Sequence, residues 1–200
     1  MEQNVKTQKP WKLVLLFLLL VLLAGLIWNN VKTGTGVQIY LYGEEHSKQS
    51  ILDKELSIWG EYYEKGMRDL FVEFPYTDAQ FLNLWMQADD DELLDLQFKD
   101  WEGTAGGTEV EKNFLKQIKE QYPETVFHGT DVGHQYDSTG ARYQDYLEER
   151  GLADTEDYRL TLEAIQQGKT FAERGSDIYR ENRMAENFIR EFDALDGESV

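Results

Sequence analysis

The sequence predicts an α/β domain, a small and mostly parallel sheet with crossover helices, preceded by one N-terminal transmembrane helix. Three observations predict it: an uncharged Leu-rich run near the start, short β-branched and aromatic runs farther on, and helix-like segments separating those runs. Alternation of helix and strand is the signature of parallel pairing, because parallel neighbours need a crossover connection.

The Leu-rich run comes first. Leu13 to Trp28 (LVLLFLLLVLLAGLIW) contains no charged residue. At ~1.5 Å per helical residue, Trp11 to Trp28 spans roughly 27 Å, close to a bilayer core of about 30 Å. Trp11 and Trp28 bracket the run as interfacial aromatics do, with Lys6, Lys9 and Lys12 before it and only Lys32 closely after. By the positive-inside rule residues 1–10 are cytoplasmic, 11–28 form a single-pass anchor in the cell membrane, and the rest is extracytoplasmic. A cleaved signal peptide shares the basic start, but this run is at the long end for a signal h-region and no A-x-A-like site follows it. A buried globular helix, apolar all round, would need a larger domain around it than the remaining chain supplies.

Asn29 to Gly36 (NNVKTGTG) is polar and Gly-containing, so 29–36 reads as a linker. Residues 37–200 read as one domain. Val37 to Tyr42, Asp69 to Phe74 and Thr125 to His128 are the strand-like runs, the third weaker and following Pro123. Ser50 to Lys65 is the first helical segment; Thr77-x-x-Gln80 and Thr108-x-x-Glu111 have capping-box spacing and open two more, the latter running to about Tyr122. Helices over Ala141 to Arg150, stopped by Gly151, and over about Thr155 to Ala172 follow. Ser176 is placed as the N-cap of a helix to about Leu195, with Gly197 as its stop. Glu198-Ser199-Val200 would begin another strand in this rhythm. Three strands make a small sheet, so the domain is expected to be incomplete as given.

Composition narrows the function. With 20 Lys plus Arg against 38 Asp plus Glu, the formal charge is −18, which argues against a nucleic-acid partner, since phosphate backbones are held by clustered cations. Without Glu2 and the three N-terminal lysines, 17 basic and 37 acidic residues remain, a charge of −20. Such a domain stands off anionic lipid, so the bilayer is expected as a partner through residues 11–28. The absence of Cys excludes disulfides, Cys-type zinc sites, iron-sulfur clusters and thiol catalysis. Apolar residues at 41% and aromatics at 13% suffice for a packed core.

In open parallel sheets, ligands bind beyond the carboxyl ends of the strands, where loops converge. The first expected strand runs into Gly43-Glu44-Glu45-His46, the second ends in Glu73-Phe74-Pro75, and the third runs into Gly129-Thr130-Asp131-Val132-Gly133-His134. All three deliver a carboxylate and two an imidazole. In extended backbone Glu44 and His46 share a face. A His beside a carboxylate has a fixed tautomer and raised proton affinity, which suits a base that activates water. Glu73 would orient that imidazole or supply a second acid-base group. Asp131 and His134 add oxygen and nitrogen donors of the kind that hold zinc, manganese or iron. Only three His exist, and two fall in these loops; His128, in or beside the third strand, reads as structural. Asp89-Asp90-Asp91-Glu92 lacks EF-hand spacing and reads as an acidic first helical turn. Thr104-Ala105-Gly106-Gly107-Thr108 lacks the Lys of a Walker loop and reads as a flexible loop.

Gly43-Glu44-Glu45-His46, Glu73, Gly129-x-Asp131 and the late helix Arg180-Glu181-Asn182-Arg183-Met184-Ala185-Glu186-Asn187 together resemble the erythromycin esterase/ChaN-like superfamily, which also includes Tiki-type metalloproteases. The resemblance implies a strand-end pocket with Glu44 and His46 central, Glu73 assisting, and Glu45, Asp131, His134, Arg180 and Asn187 as binding residues. It implies either hydrolysis of a small ester or peptide ligand, or binding of haem or a divalent metal without turnover. Arg180, Met184 and Asn187 fall at i, i+4 and i+7 and share a helix face, while Ile178, Ala185, Phe188, Ile189, Phe192 and Leu195 are expected to pack. Glu44-x-His46 is closer to the ChaN-like Glu-x-His than to the Glu-x-x-His of macrolide esterases, so macrolide hydrolysis is not implied. The family continues past this helix into a strand bearing another functional His, and the sequence stops at Val200, so a truncated member, and with it an inactive fragment, is the remaining expectation.

Overall fold

The computed structural model describes residues 39–43 and 45–195. The chain divides into two units, Met1–Gly43 and Glu44–Val200. In the first, the expected strand is absent over residues 39–43: Ile39, Tyr40, Leu41 and Tyr42 are 52–88% exposed and carry no ladder. β-propensity is mostly packing on a pleated surface, and side chains this exposed do not collect it. The run 11–28, the linker 29–36, Glu44, Gly197 and the expected strand at 198–200 lie outside the described residues. Among the described residues no helix is long and apolar enough to cross a membrane.

The second unit runs α1 (Gln49–Tyr63), β1 (Asp69–Pro75), α2 (Tyr76–Met86), α3 (Glu92–Asp100), α4 (Glu109–Gln121), β2 (Val126–Asp131), α5 (Thr139–Glu149), α6 (Glu156–Arg174) and α7 (Asp177–Ala194). Among the described residues the sheet is therefore two parallel strands with helices around them, rather than three strands. Asp69 pairs with Val126 and Val72 with Gly129, then the register shifts so that Pro75 meets Asp131. A Cβ at Gly129 would overlap the carbonyls of Pro75 and Phe74, so the close approach at this irregularity requires glycine. Gly129 and Asp131, expected in a loop, are strand residues: β2 starts one residue later than Thr125 and runs three past His128.

One face of the sheet carries the core. Leu70, Val72 and Phe74 of β1 and Phe127 of β2 pack against Leu82 and Trp85 of α2, Leu94 and Phe98 of α3, and Leu115 and Ile118 of α4. The other face is covered by α7, with the Phe71 ring 5.0 Å from Phe188 and 6.5 Å from Phe192. A smaller cluster of Phe81, Tyr143 and Leu147 joins α2 to α5.

The capping expectations are met in part: Ser176 is a cap, Thr108 is one while the Glu111 side chain turns to the Ser47 N–H, and α2 departs from them. Thr108, Thr155 and Ser176 accept from the N–H three residues on. Gly151 and Gly175 adopt positive φ where α5 and α6 stop. Thr77 is not a cap: β1 passes directly into α2 with Pro75 at the N-cap position, which puts Thr77 inside the first turn, buried. Asp89, Asp90 and Asp91 precede α3 rather than forming its first turn; Asp90 accepts from the Glu92 N–H and Asp91 pairs with Lys116 at 2.7 Å. On α7, Ile178 and Ile189 are 74% and 56% exposed and Ala185 is exposed, against the expected packing, whereas Phe188 and Phe192 pack on Phe71 and Leu195 is half-buried.

Candidate functional site at the strand ends

Parallel pairing places the last carboxylates of β1 and β2 at one end of the sheet, and α7 crosses that end. Arg180 Nη2 donates to Glu73 Oε1 at 2.5 Å and to Asp131 Oδ2 at 2.6 Å, while Nε donates to Asp131 Oδ1 at 2.9 Å. The planar fork of a guanidinium suits this two-carboxylate bridge. Two turns on, Asn187 is buried, and its Nδ2 donates to the carbonyls of Thr130 (3.1 Å) and Asp131 (3.3 Å). The i, i+7 spacing thus brings both α7 residues to the end of β2.

Asp131 is 2% exposed, and a buried carboxylate needs its lone pairs satisfied. Besides Arg180, it accepts from the Val132 N–H at 2.7 Å and faces His134 Nε2 at 3.1 Å. Burial pushes its pKa up, but the bonds from His134 and Arg180 outweigh that, and Asp131 is held below the usual carboxylate range. Arg180 is held above its ordinary value, first by the bond to Asp131 and then by Glu73. The His134 side chain is 37% exposed and stands edge-on to Phe171 at 5.3 Å. In the tautomer that donates Nε2–H to Asp131, the lone pair is on Nδ1.

The loop holding His134 is set by two glycines. A Cβ on Gly168 of α6 would overlap the Gly133 carbonyl, and one on Gly133 would overlap the Ala164 carbonyl, so loop and helix touch backbone to backbone. Gln167, beside Gly168, exchanges reciprocal amide bonds with Asn187 at 2.9 and 3.0 Å. Sequence reading missed Gln167 and Gly168; a polar residue and a glycine inside an otherwise continuous helix were the available signal.

His46 sits exposed in the turn before α1. Ser47, at φ 62°, ties this turn down: its N–H donates to Glu111 Oε1 (2.8 Å), and its hydroxyl donates to the Ala105 carbonyl (2.7 Å) and meets the Thr108 hydroxyl (2.9 Å). The loop following α3 begins at Trp101, whose ring packs on Phe74 at the end of β1. The His46 turn is thereby attached to the loop that borders the strand ends. Glu45 pairs with Lys48 at the surface. Glu44 lies outside the described residues, so the Glu44–His46 arrangement does too.

Among the described residues no set of three or more His, Asp or Glu side chains is placed to hold a metal ion. Asp131 and His134, read above as donors, are bonded to each other. A shallow depression of about 410 Å³ between Ala153 and Leu162 contains none of the expected site residues. What the strand-end cluster can do chemically is hold a proton at His134 Nδ1, with Asp131 fixing the ring and Arg180 fixing Asp131. Comparisons with protein-family models, with curated proteins and with solved structures each find no match to this chain.

Proposed function

We propose that this chain is a membrane-anchored, extracytoplasmic hydrolase-like protein in which the Asp131–His134 pair activates water on a small ester or peptide substrate at the strand ends. The observation that carries this reading is the chain of contacts from Glu73 through Arg180 and Asp131 to a half-exposed imidazole, at the edge where parallel sheets bind ligands. Asp131 holds the His134 tautomer and stabilises the imidazolium formed when Nδ1 takes a proton from water. Glu73, paired with Arg180, is a second carboxylate at the strand ends, and His46, exposed in the turn before α1, is the second imidazole this reading offers. The order of these residues supports kinship with the erythromycin esterase/ChaN-like proteins, and the 11–28 run supports anchoring.

The test is hydrolysis of a panel of activated esters and short peptides by the full chain in lipid nanodiscs. His134→Gln should lower kcat/KM by about 10²- to 10⁴-fold, the range for loss of a general base. His46→Ala, measured alongside, assigns the share of the second imidazole. Absence of turnover across the panel, or wild-type rates in His134→Gln, would remove the hydrolase reading.

A further inference from the structure

On the sheet face away from the core, His128 lies between two carboxylates from different elements. Its Nε2 is 2.8 Å from Asp69 Oδ1 on β1, and its Nδ1 is 3.4 Å from Glu191 Oε2 on α7. The ring stacks on Phe71 at 4.9 Å and 22°. Side-chain exposure is only 11% for His128, 9% for Glu191 and 22% for Asp69. A neutral imidazole has one N–H, so it can serve one of these carboxylates while turning a lone pair on the other; the charged ring donates to both. The geometry is therefore that of an imidazolium.

We propose that His128, Asp69 and Glu191 form a proton-gated latch, which holds the C-terminal half of α7 on the sheet while the imidazole is charged and lets it lift when the imidazole is neutral. The two halves of α7 are fastened differently. The first is held by Arg180 on Glu73 and Asp131, with no histidine in the bridge. The second is held by Glu191 on His128, by Phe188 and Phe192 on Phe71, and by Arg190 on Glu163 of α6, so the His128 proton governs its contact with the sheet.

The other charges around the ring do not replace its proton. Arg190 Nε reaches the other oxygen of Glu191 at 3.3 Å, but its Nη1 is directed to Glu163 and Asn187. Arg68, next to Asp69, is turned to Glu124 at 2.8 Å. From α2, Tyr76 donates to Asp157 and is held well above its ordinary pKa, first by burial and then by Asp157, so it stays neutral. Burial lowers the proton affinity of His128, but the bonds to Glu191 and Asp69 outweigh it and the net shift is upward. The sign follows: a His whose pKa is raised by folding contributes stability below its unfolded value of about 6.5, lost as pH rises through the raised folded value. The latch opens on the alkaline side, and it stands whether or not the strand-end cluster is catalytic.

Hydrogen exchange of the full chain in nanodiscs, from pH 6 to 9 and corrected for intrinsic rates, tests this together with an NMR titration of the His128 ring. The opening constant of amides after Asn187 should rise about tenfold for each unit by which the His128 pKa exceeds 6.5, with a smaller change before Arg183. Glu191→Gln should flatten this dependence, because the introduced amide donates to Nδ1 while Nε2–H stays on Asp69. A His128 pKa at or below 6.5, a flat opening constant in the wild type, or unchanged pH dependence in Glu191→Gln would each overturn the latch.

Discussion

Asp78 is a buried carboxyl whose desolvation adds to the pH response of this domain. It is fully buried in the first turn of α2, where Trp101 Nε1 donates to Oδ1 at 2.7 Å and Thr77 to Oδ2 at 3.2 Å. Desolvation pushes its pKa from 3.8 up to about 6 against these bonds. A raised acid pKa means stability that is complete below about pH 4 and lost as pH rises through about 6. Two units correspond to about 3 kcal/mol. Asp78→Asn keeps an acceptor for Trp101 and brings an N–H donor near Gln97, whose Oε1 is buried without a hydrogen bond. Urea unfolding at pH 4, 5.5 and 7.5 should show the variant gaining on the wild type by about 3 kcal/mol across that range. A constant difference between the two would place the titration elsewhere. Sequence reading had singled out Thr77 as a cap and passed over Asp78, because burial is a tertiary property that a residue's own neighbours in sequence do not reveal.

At the scale of elements, legibility tracked how local the cause was. Thr108 and Ser176 cap their helices as their sequence context indicates, since the bond closes within one turn. Arg180 and Asn187 were readable as one face from spacing alone. Gln167, which bonds Asn187, and the Gly133–Gly168 approach were not, because each depends on how α6 packs in the fold. The His128 site was read as structural without its partners, since Asp69 and Glu191 are 59 and 63 residues away. The α6 contact gives a prediction with opposite signs for its two causes. Helix propensity alone makes Gly168→Ala stabilising by about 1 kcal/mol. Overlap with the Gly133 carbonyl and crowding against Tyr136 at 3.0 Å instead make it destabilising, by about 1–3 kcal/mol. Thermal unfolding decides the sign, and the His134 ring resonances should shift with it, since Gly133 precedes His134. A stabilised variant with unmoved His134 signals would show that the close approach does not position the site.

For the whole molecule, the second unit holds its own core and its own polar network. Both hydrophobic clusters, the Arg180 bridge and the His128 site lie between Leu56 and Glu191. A segment with that much internal burial should fold without residues 1–43, whereas the acidic excess that remains gives it no attraction to anionic lipid. In the proposed reading, membrane association belongs to the Leu-rich run, and a single-pass insertion there would withstand treatments that strip peripheral proteins. The expected outcome is a division of behaviour. The full chain should stay with the membrane pellet through carbonate washing. Residues 44–200 alone should stay in the supernatant, unfold cooperatively, and give the same His128 titration as the parent. A fragment that pellets with anionic vesicles, or a full chain released by carbonate, would move the membrane contact away from residues 11–28. A fragment that fails to unfold cooperatively would show instead that the 1–43 segment completes the fold.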